Sequence, residues 1–155
     1  MTTIRIDQAG TRDAETVGLF VSELMKEIVP HHAASFDPNQ FTTQARKLLE
    51  NGTVWAFIAR TKDETSVGIL TLYECATIYA RGEFGVISEL YVIAQNRSEG
   101  VGAKLLDAAT QFAPTRGWSG LEVTTPSQPT WQRTVDFYTR YGFGPIGPRL
   151  SLAIS

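Results

Sequence analysis

Between an apolar strand and an amphipathic helix stand Arg97, Ser98, Glu99, Gly100, Val101 and Gly102. Two glycines at a strand-to-helix junction strip side chains from a turn whose amide N–H groups still lack partners. The first N–H groups of the next helix are also unpaired, and the helix dipole makes that end partly positive. A phosphate group would meet bare backbone there, and Arg97 adds a full positive charge. The segment from Arg97 through Ala103 therefore reads as a pyrophosphate cradle. A Walker loop would need Lys and then Ser or Thr after the second glycine, where Ala103, Lys104 and Leu105 stand. A dinucleotide fingerprint would need a third glycine at Leu105, although Glu122, about twenty residues past Gly102, suits a ribose.

The second chemical signal is a carboxylate inside a strand. Over Phe84 to Ile93, strict alternation puts Phe84, Val86, Ser88, Leu90 and Val92 on one face. Gly85, Ile87, Glu89, Tyr91 and Ile93 take the other. Both faces are mainly apolar, as in a strand covered on both sides. Burying Glu89 unpaired would be costly, so it must be hydrogen-bonded, solvated by a cleft or held neutral. It is either paired with an Arg or Lys on a neighbouring strand, such as Arg60, or part of a functional site. The third signal is Tyr138, in the run Phe137-Tyr138-Thr139-Arg140-Tyr141-Gly142-Phe143. It shares helical spacing with Val135 and Tyr141, and taken alone it is a core aromatic with a tethered hydroxyl.

These residues need elements to position them. Ile4 to Ile6 predicts a first strand, and Thr11 caps a helix with Asp13 and Glu15 in its first turn. That helix buries Ala14, Val17, Val21, Leu24 and Ile28 and stops at Pro30. Asp37-Pro38-Asn39-Gln40 opens a second helix with buried face Phe41, Ala45 and Leu48, ended by Gly52. Thr53 to Arg60 and Val67 to about Ile78 predict an antiparallel hairpin. The helix after the cradle buries Val101, Leu105, Ala108 and Phe112. Leu121 to Thr125 then predicts a strand parallel to its predecessor across that helix. A last helix runs from near Pro129 to Tyr141-Gly142, and Leu150 to Ile154 predicts a closing strand. The expected fold is α/β: one domain over residues 1–155, with a mixed central sheet of six to seven strands. Its N-terminal part is antiparallel, a parallel splayed βαβ pair follows, and about four helices flank it.

Bulk properties narrow the function classes. The 155 residues are 43% hydrophobic and 19% charged, with a formal net charge of -2. That suits a single globular domain and, without any basic run, argues against a nucleic-acid partner. No stretch is long and apolar enough to span a membrane. Met1 to Arg5 lacks the apolar core of a secretion signal, and Cys75, the single cysteine, cannot form an internal disulfide. The expectation is a cytoplasmic protein. Cys75 with His31 or His32 makes a poor thiol site, since one lies mid-strand and the others on a loop. His31-His32 makes a poor metal pair, so no metal is expected.

Glu89 to Val92 (Glu-Leu-Tyr-Val), Arg97 to Gly102 (Arg-x-x-Gly-x-Gly) and Phe137 to Phe143 (Phe-Tyr-x-x-x-Gly-Phe) together resemble the GNAT-type N-acetyltransferases in order and separation. The upstream strand, two helices and hairpin match as well, so the resemblance covers nearly the whole chain. It implies acetyl-CoA as co-substrate, with its pyrophosphate on the amides of Arg97 to Gly102. It places the pantetheine arm along Leu90, Tyr91 and Val92, inserted in a wedge between two parallel strands. One position departs: family members often carry Asn seven residues before the Tyr, and here Trp131 stands there. Dimers are common in the family, and the segment from Gly144 to Ile154 is a candidate exchanged strand or exposed edge.

The resemblance implies direct attack of a primary amine on the thioester. An alkylamine has a reference pKa of about 10.4, so a base is needed, and Glu89 is the candidate, directly or through a water. A backbone N–H in the Leu90 to Val92 segment would steady the developing oxyanion. Tyr138 would protonate the leaving thiolate, phenol and thiol having reference pKa values of about 10 and 8.5. His31, His32, Phe36, Tyr73 and Glu74 are acceptor-site candidates, and the acceptor is a small-molecule or peptide amine, a protein N-terminus included. The competing readings are a CoA-binding regulatory module without catalysis and a nucleotide-binding domain.

Overall fold

A computed structural model of the chain describes residues 3–79, 82–126, 130–147 and 149–154. Its centre is one five-stranded sheet in the order β1 (Ile4–Gln8), β2 (Val54–Thr61), β3 (Ser66–Thr77), β4 (Gly82–Val92) and β5 (Leu121–Val123). The first four strands pair antiparallel, and β4 and β5 are parallel. Helices α1 (Ala14–Ile28) and α2 (Pro38–Glu50) cover one face, while α3 (Val101–Phe112) and α4 (Gln132–Tyr141) lie against the other. The predicted start of the last helix at Pro129 lies outside the described residues.

The described residues thus give five strands rather than six or seven. Residues 149–154 form no strand, and Leu150, Leu152 and Ile154 are 93%, 83% and 86% exposed. Their alternation is a strand pattern, but a strand also needs a neighbour to bond to. Among the described residues β5 pairs only with β4, and residues 149–154 pair with no strand. The expected strand at Leu150 to Ile154 is corrected accordingly.

Helix α2 follows its signals: the Asp37 carboxylate accepts from the Asn39 N–H at 2.9 Å, Pro38 occupies the first turn, and Gly52 follows at φ +67°. Helix α1 starts later than expected, after a 3-10 turn over Thr11–Asp13, and it buries Ala14, Val17, Phe20 and Ser22. Gly18 is also buried, because a Cβ there would sit 2.5 Å from the Thr42 backbone nitrogen of α2. Leu24 and Ile28 are half-buried and line a cleft described below.

At the opposite end of the sheet Trp118 packs under β4. A Cβ on Gly85 would lie 2.4 Å from its ring, and the ring is fixed by Nε1 donating to Glu74 at 2.7 Å. Because the ring cannot swing away, Gly85→Ala is expected to cost about 1–2 kcal/mol of folding stability. Urea unfolding of the variant against wild type measures this, and an unchanged midpoint would refute it.

Candidate active site

The site begins with a register change. Thr71 pairs with Glu89 but Leu72 pairs with Ile87, so Ser88 is the extra residue of a β-bulge. Strict alternation therefore fails. Phe84, Val86, Glu89 and Tyr91 share the face toward α1 and α2, with their partners Cys75, Tyr73, Thr71 and Ile69. Gly85, Ile87, Leu90 and Val92 share the α3 face. The bulge puts Glu89 on the opposite face from Ile87, correcting the faces assigned by alternation.

Glu89 is half-buried and is not paired with Arg60, which holds Asp7 and Asp13, each at 2.9 Å. Its Oε2 accepts instead from the Thr71 hydroxyl at 3.0 Å. Thr71 Oγ1 also accepts the Glu89 backbone N–H at 3.1 Å and lies 2.8 Å from Ser88 Oγ. The one Thr71 proton goes to the carboxylate, so Ser88 is the donor in its contact with Thr71. Thr71 is 1% exposed and orients the carboxylate. Its signal was in the sequence, as the one polar residue in the run Ile69-Leu70-Thr71-Leu72, and the sequence reading missed it.

β5 pairs only with Gly85, Val86 and Ile87. Beyond the bulge, the outer edge of β4 from Ser88 to Val92 has no β5 partner, and the two parallel strands part. A cavity of about 410 Å3 opens in that splay, lined by Leu90, Tyr91 and Val92 on one side and Val123 to Pro126 on the other. Helix α4 contributes Thr134 and Tyr138, and α1 contributes Leu24, Glu27 and Ile28. Trp131, at the position where the resembled family often has Asn, also lines it.

Tyr138 is 5% exposed, and burial pushes its phenol well above the ordinary range. The helix end explains its placement: Gly142 at φ +128° reverses the chain, and the Phe143 N–H bonds back to the Tyr138 carbonyl at 3.0 Å. Phe143 then packs 5.3 Å from the Tyr138 ring. Because the folded phenol titrates above its unfolded value, its stabilising effect is complete below about pH 10 and lost as pH rises further. Urea midpoints near neutrality and above about pH 10 should therefore fall more steeply in wild type than in Tyr138→Phe. Parallel falls in the two proteins would contradict this.

The cradle lies beside the cavity mouth. Ser98 (φ +68°) and Gly100 (φ +81°) are both left-handed, and no side chain caps α3. Alternating hand in a short turn aims successive amides toward one side, the geometry of an anion nest. Nothing lies within 4 Å of where a Gly100 Cβ would be, so the space over the turn is open to a ligand. Gly102 has a different reason: a Cβ there would come 2.9 Å from Phe137 Cζ, so the second glycine lets α4 approach α3. Glu99 turns back to accept from Asn96 Nδ2 at 3.1 Å, and Val101 is buried in the core.

Arg97 does not extend over the turn. Its Nε donates to the Val92 carbonyl at 2.7 Å, Nη2 meets Glu27 Oε2 at 2.7 Å, and the guanidinium lies 5.3 Å from the Tyr91 ring centre. The cavity brings Arg97, Leu90 to Val92 and Tyr138 together, while Glu89 is not among its lining residues and sits on the α1 face of β4. Tyr73 shares the Glu89 face. Phe36 stacks on Phe41 at 6.2 Å, and His31 and His32 are exposed on the 3-10 segment Pro30–Ser35. Glu74 lies on the α3 face instead, where it accepts from Trp118 Nε1 and from Arg116 at 3.3 Å.

A family profile described as acetyltransferase (GNAT) domain matches residues 22–152. The chain belongs to the GNAT acetyltransferase family. As a member it is an acetyl-CoA-dependent acyltransferase. Among similar solved structures is a ribosomal-protein-alanine N-acetyltransferase from Brucella melitensis biovar Abortus 2308, with 20% identity and TM-score 0.74, covering 98% of this chain and 100% of that one. An aminoglycoside N-acetyltransferase in complex with CoA matches at 16% identity and TM-score 0.76, over 99% and 96% of the two chains. A predicted acetyltransferase with acetyl-CoA from Clostridium acetobutylicum matches at 15% and 0.78, over 97% and 96%. At these identities the likeness is one of fold.

Proposed function

We propose that this acetyltransferase acetylates a primary amine by direct attack, with Glu89 as general base and Tyr138 as general acid. The observation that carries the reading is the bulge at Ser88, which puts Glu89 on the α1 face of β4, the face from which Leu24, Glu27 and Tyr91 line the splay that Tyr138 enters from α4. Acetyl-CoA, when bound, supplies an acetyl group activated as a thioester. The residues present fit it. The open turn from Arg97 to Ala103 at the α3 N-terminus suits the diphosphate, and the unpaired β4 edge at Leu90, Tyr91 and Val92 suits the amide-bearing arm.

Each side chain then has a defined task. Glu89, held by Thr71, takes the proton from the acceptor's ammonium, which is mostly charged near neutrality. A backbone N–H on the open edge of β4 offers a preorganised donor where charge develops on the carbonyl oxygen. Tyr138 Oη keeps its proton in the splay, toward the departing sulfur. Its raised pKa makes it a weaker donor, but the same burial raises the pKa of a thiol beside it, which preserves the match.

Among the similar structures the named substrates are a ribosomal protein and aminoglycosides, so both peptide and small-molecule amines stay within the reading. Tyr73 and Phe36, with the exposed His31 and His32, are the proposed acceptor-side surface. The test is thiol release from acetyl-CoA over a panel of amines and N-terminal peptides, with wild type and Tyr138→Phe. Amine-dependent release that slows in the variant supports the reading. Equal rates in the two proteins would remove Tyr138 from it.

A further inference from the structure

Among the described cavity-lining residues Glu27 is the one acidic side chain, and it is bound to Arg97, the one cation. The pair closes across the cleft from α1 to the loop after β4, with side-chain exposures of 37% for Glu27 and 44% for Arg97. Tyr91 completes the group: its hydroxyl is raised in pKa by burial and then by the negative charge of Glu27, with Arg97 opposing. Tyr91 and Glu89 stand two residues apart on one face of β4, so their Cα atoms are about 6.6 Å apart along the strand. Glu23, on the preceding turn of α1, is held by Lys26 at 3.3 Å, which leaves Glu27 as the carboxylate whose partner a ligand can take.

The diphosphate and Glu27 want the same guanidinium. A diphosphate at the adjacent turn outbids one carboxylate, because it carries more negative charge, also meets the α3 amides, and competes with a partly exposed ion pair. Glu27 is then a free anion at the cleft mouth, on the same side as Glu89. We propose that Glu27 is a specificity residue for acceptors bearing a second ammonium group: it neutralises Arg97 in the empty cleft and, once the diphosphate has taken Arg97, holds that second cation while the first meets Glu89. The proposal rests on the acetyl-transfer reading above. It makes coenzyme and dicationic acceptor bind with positive coupling, since each removes a charge the other would leave unpaired.

The experiment compares wild type with Glu27→Gln in two arms. Calorimetric titration with CoA should show about two- to fivefold tighter binding by the variant, the size expected for losing one partly exposed competing ion pair. Acetylation of a linear alkyl diamine and of the monoamine of equal length should show wild type favouring the diamine by about tenfold in kcat/KM. Glu27→Gln should lose most of that preference, which is read as the diamine-to-monoamine ratio within each protein so that a changed coenzyme affinity cancels. Weaker CoA binding by the variant, an unchanged diamine preference, or no acetylation of any diamine by wild type would each overturn the proposal. Failure of wild type to bind CoA would instead overturn the parent reading along with it.

Discussion

Replacing Glu89 by Gln lowers kcat/KM for amine acetylation by about 10²–10³ near neutral pH, the usual contribution of a positioned general base. The substitution is nearly isosteric. The amide oxygen still accepts from the Thr71 hydroxyl, which bonds Oε2 at 3.0 Å in the wild-type chain, and the half-buried position loses a charge rather than gaining one. Folding stability should therefore change by no more than about 0.5 kcal/mol. The deficit should also shrink with rising pH. Toward the acceptor's own pKa, about 10.4, more amine arrives unprotonated and the base is needed less. Rates of thiol release from about pH 6 to about pH 10 measure this, and a deficit constant across that range would mean Glu89 does not take the proton.

Gly100→Val should weaken CoA binding by about thirtyfold or more while leaving the fold intact. Gly100 sits at φ +81°, where a β-branched residue is strained by about 1–2 kcal/mol. The turn relieves that strain by rotating, which re-aims the amides that alternate in hand with Ser98. A valine side chain would also fill the open space above the turn. Because Gly100 is exposed, no core packing is lost. Calorimetric titration reads the affinity and circular dichroism the fold. An affinity within threefold of wild type would show that this turn does not carry the diphosphate.

The features legible in the sequence are those set by local chemistry. Asp37-Pro38 starts α2 and the glycine turn precedes α3 because capping and backbone freedom act within a few residues. The parallel relation of β4 and β5 followed from the helix between them. What was not legible depends on partners far along the chain. The bulge at Ser88 is a property of β4 against β3, so alternation within β4 alone misassigned the faces. Arg97 promised a phosphate contact, but its partner Glu27 is seventy residues away on α1. The hydrogen bond from Trp118 to Glu74 joins residues forty-four apart, so no local pattern announced it. The tail pattern Leu150, Leu152, Ile154 is a strand signal whose neighbour the described residues do not supply. The Phe137 and Gly102 signals were both visible, but their direct contact was not.

Resolved backbone-amide spectra during a CoA titration test the central claim most directly. The largest shifts should fall on Ser98 to Ala103, with accompanying shifts at Leu90 to Val92 along the open edge and at Glu27 as Arg97 leaves it. Shifts concentrated elsewhere, with the amides of residues 98–103 unmoved at saturation, would contradict it.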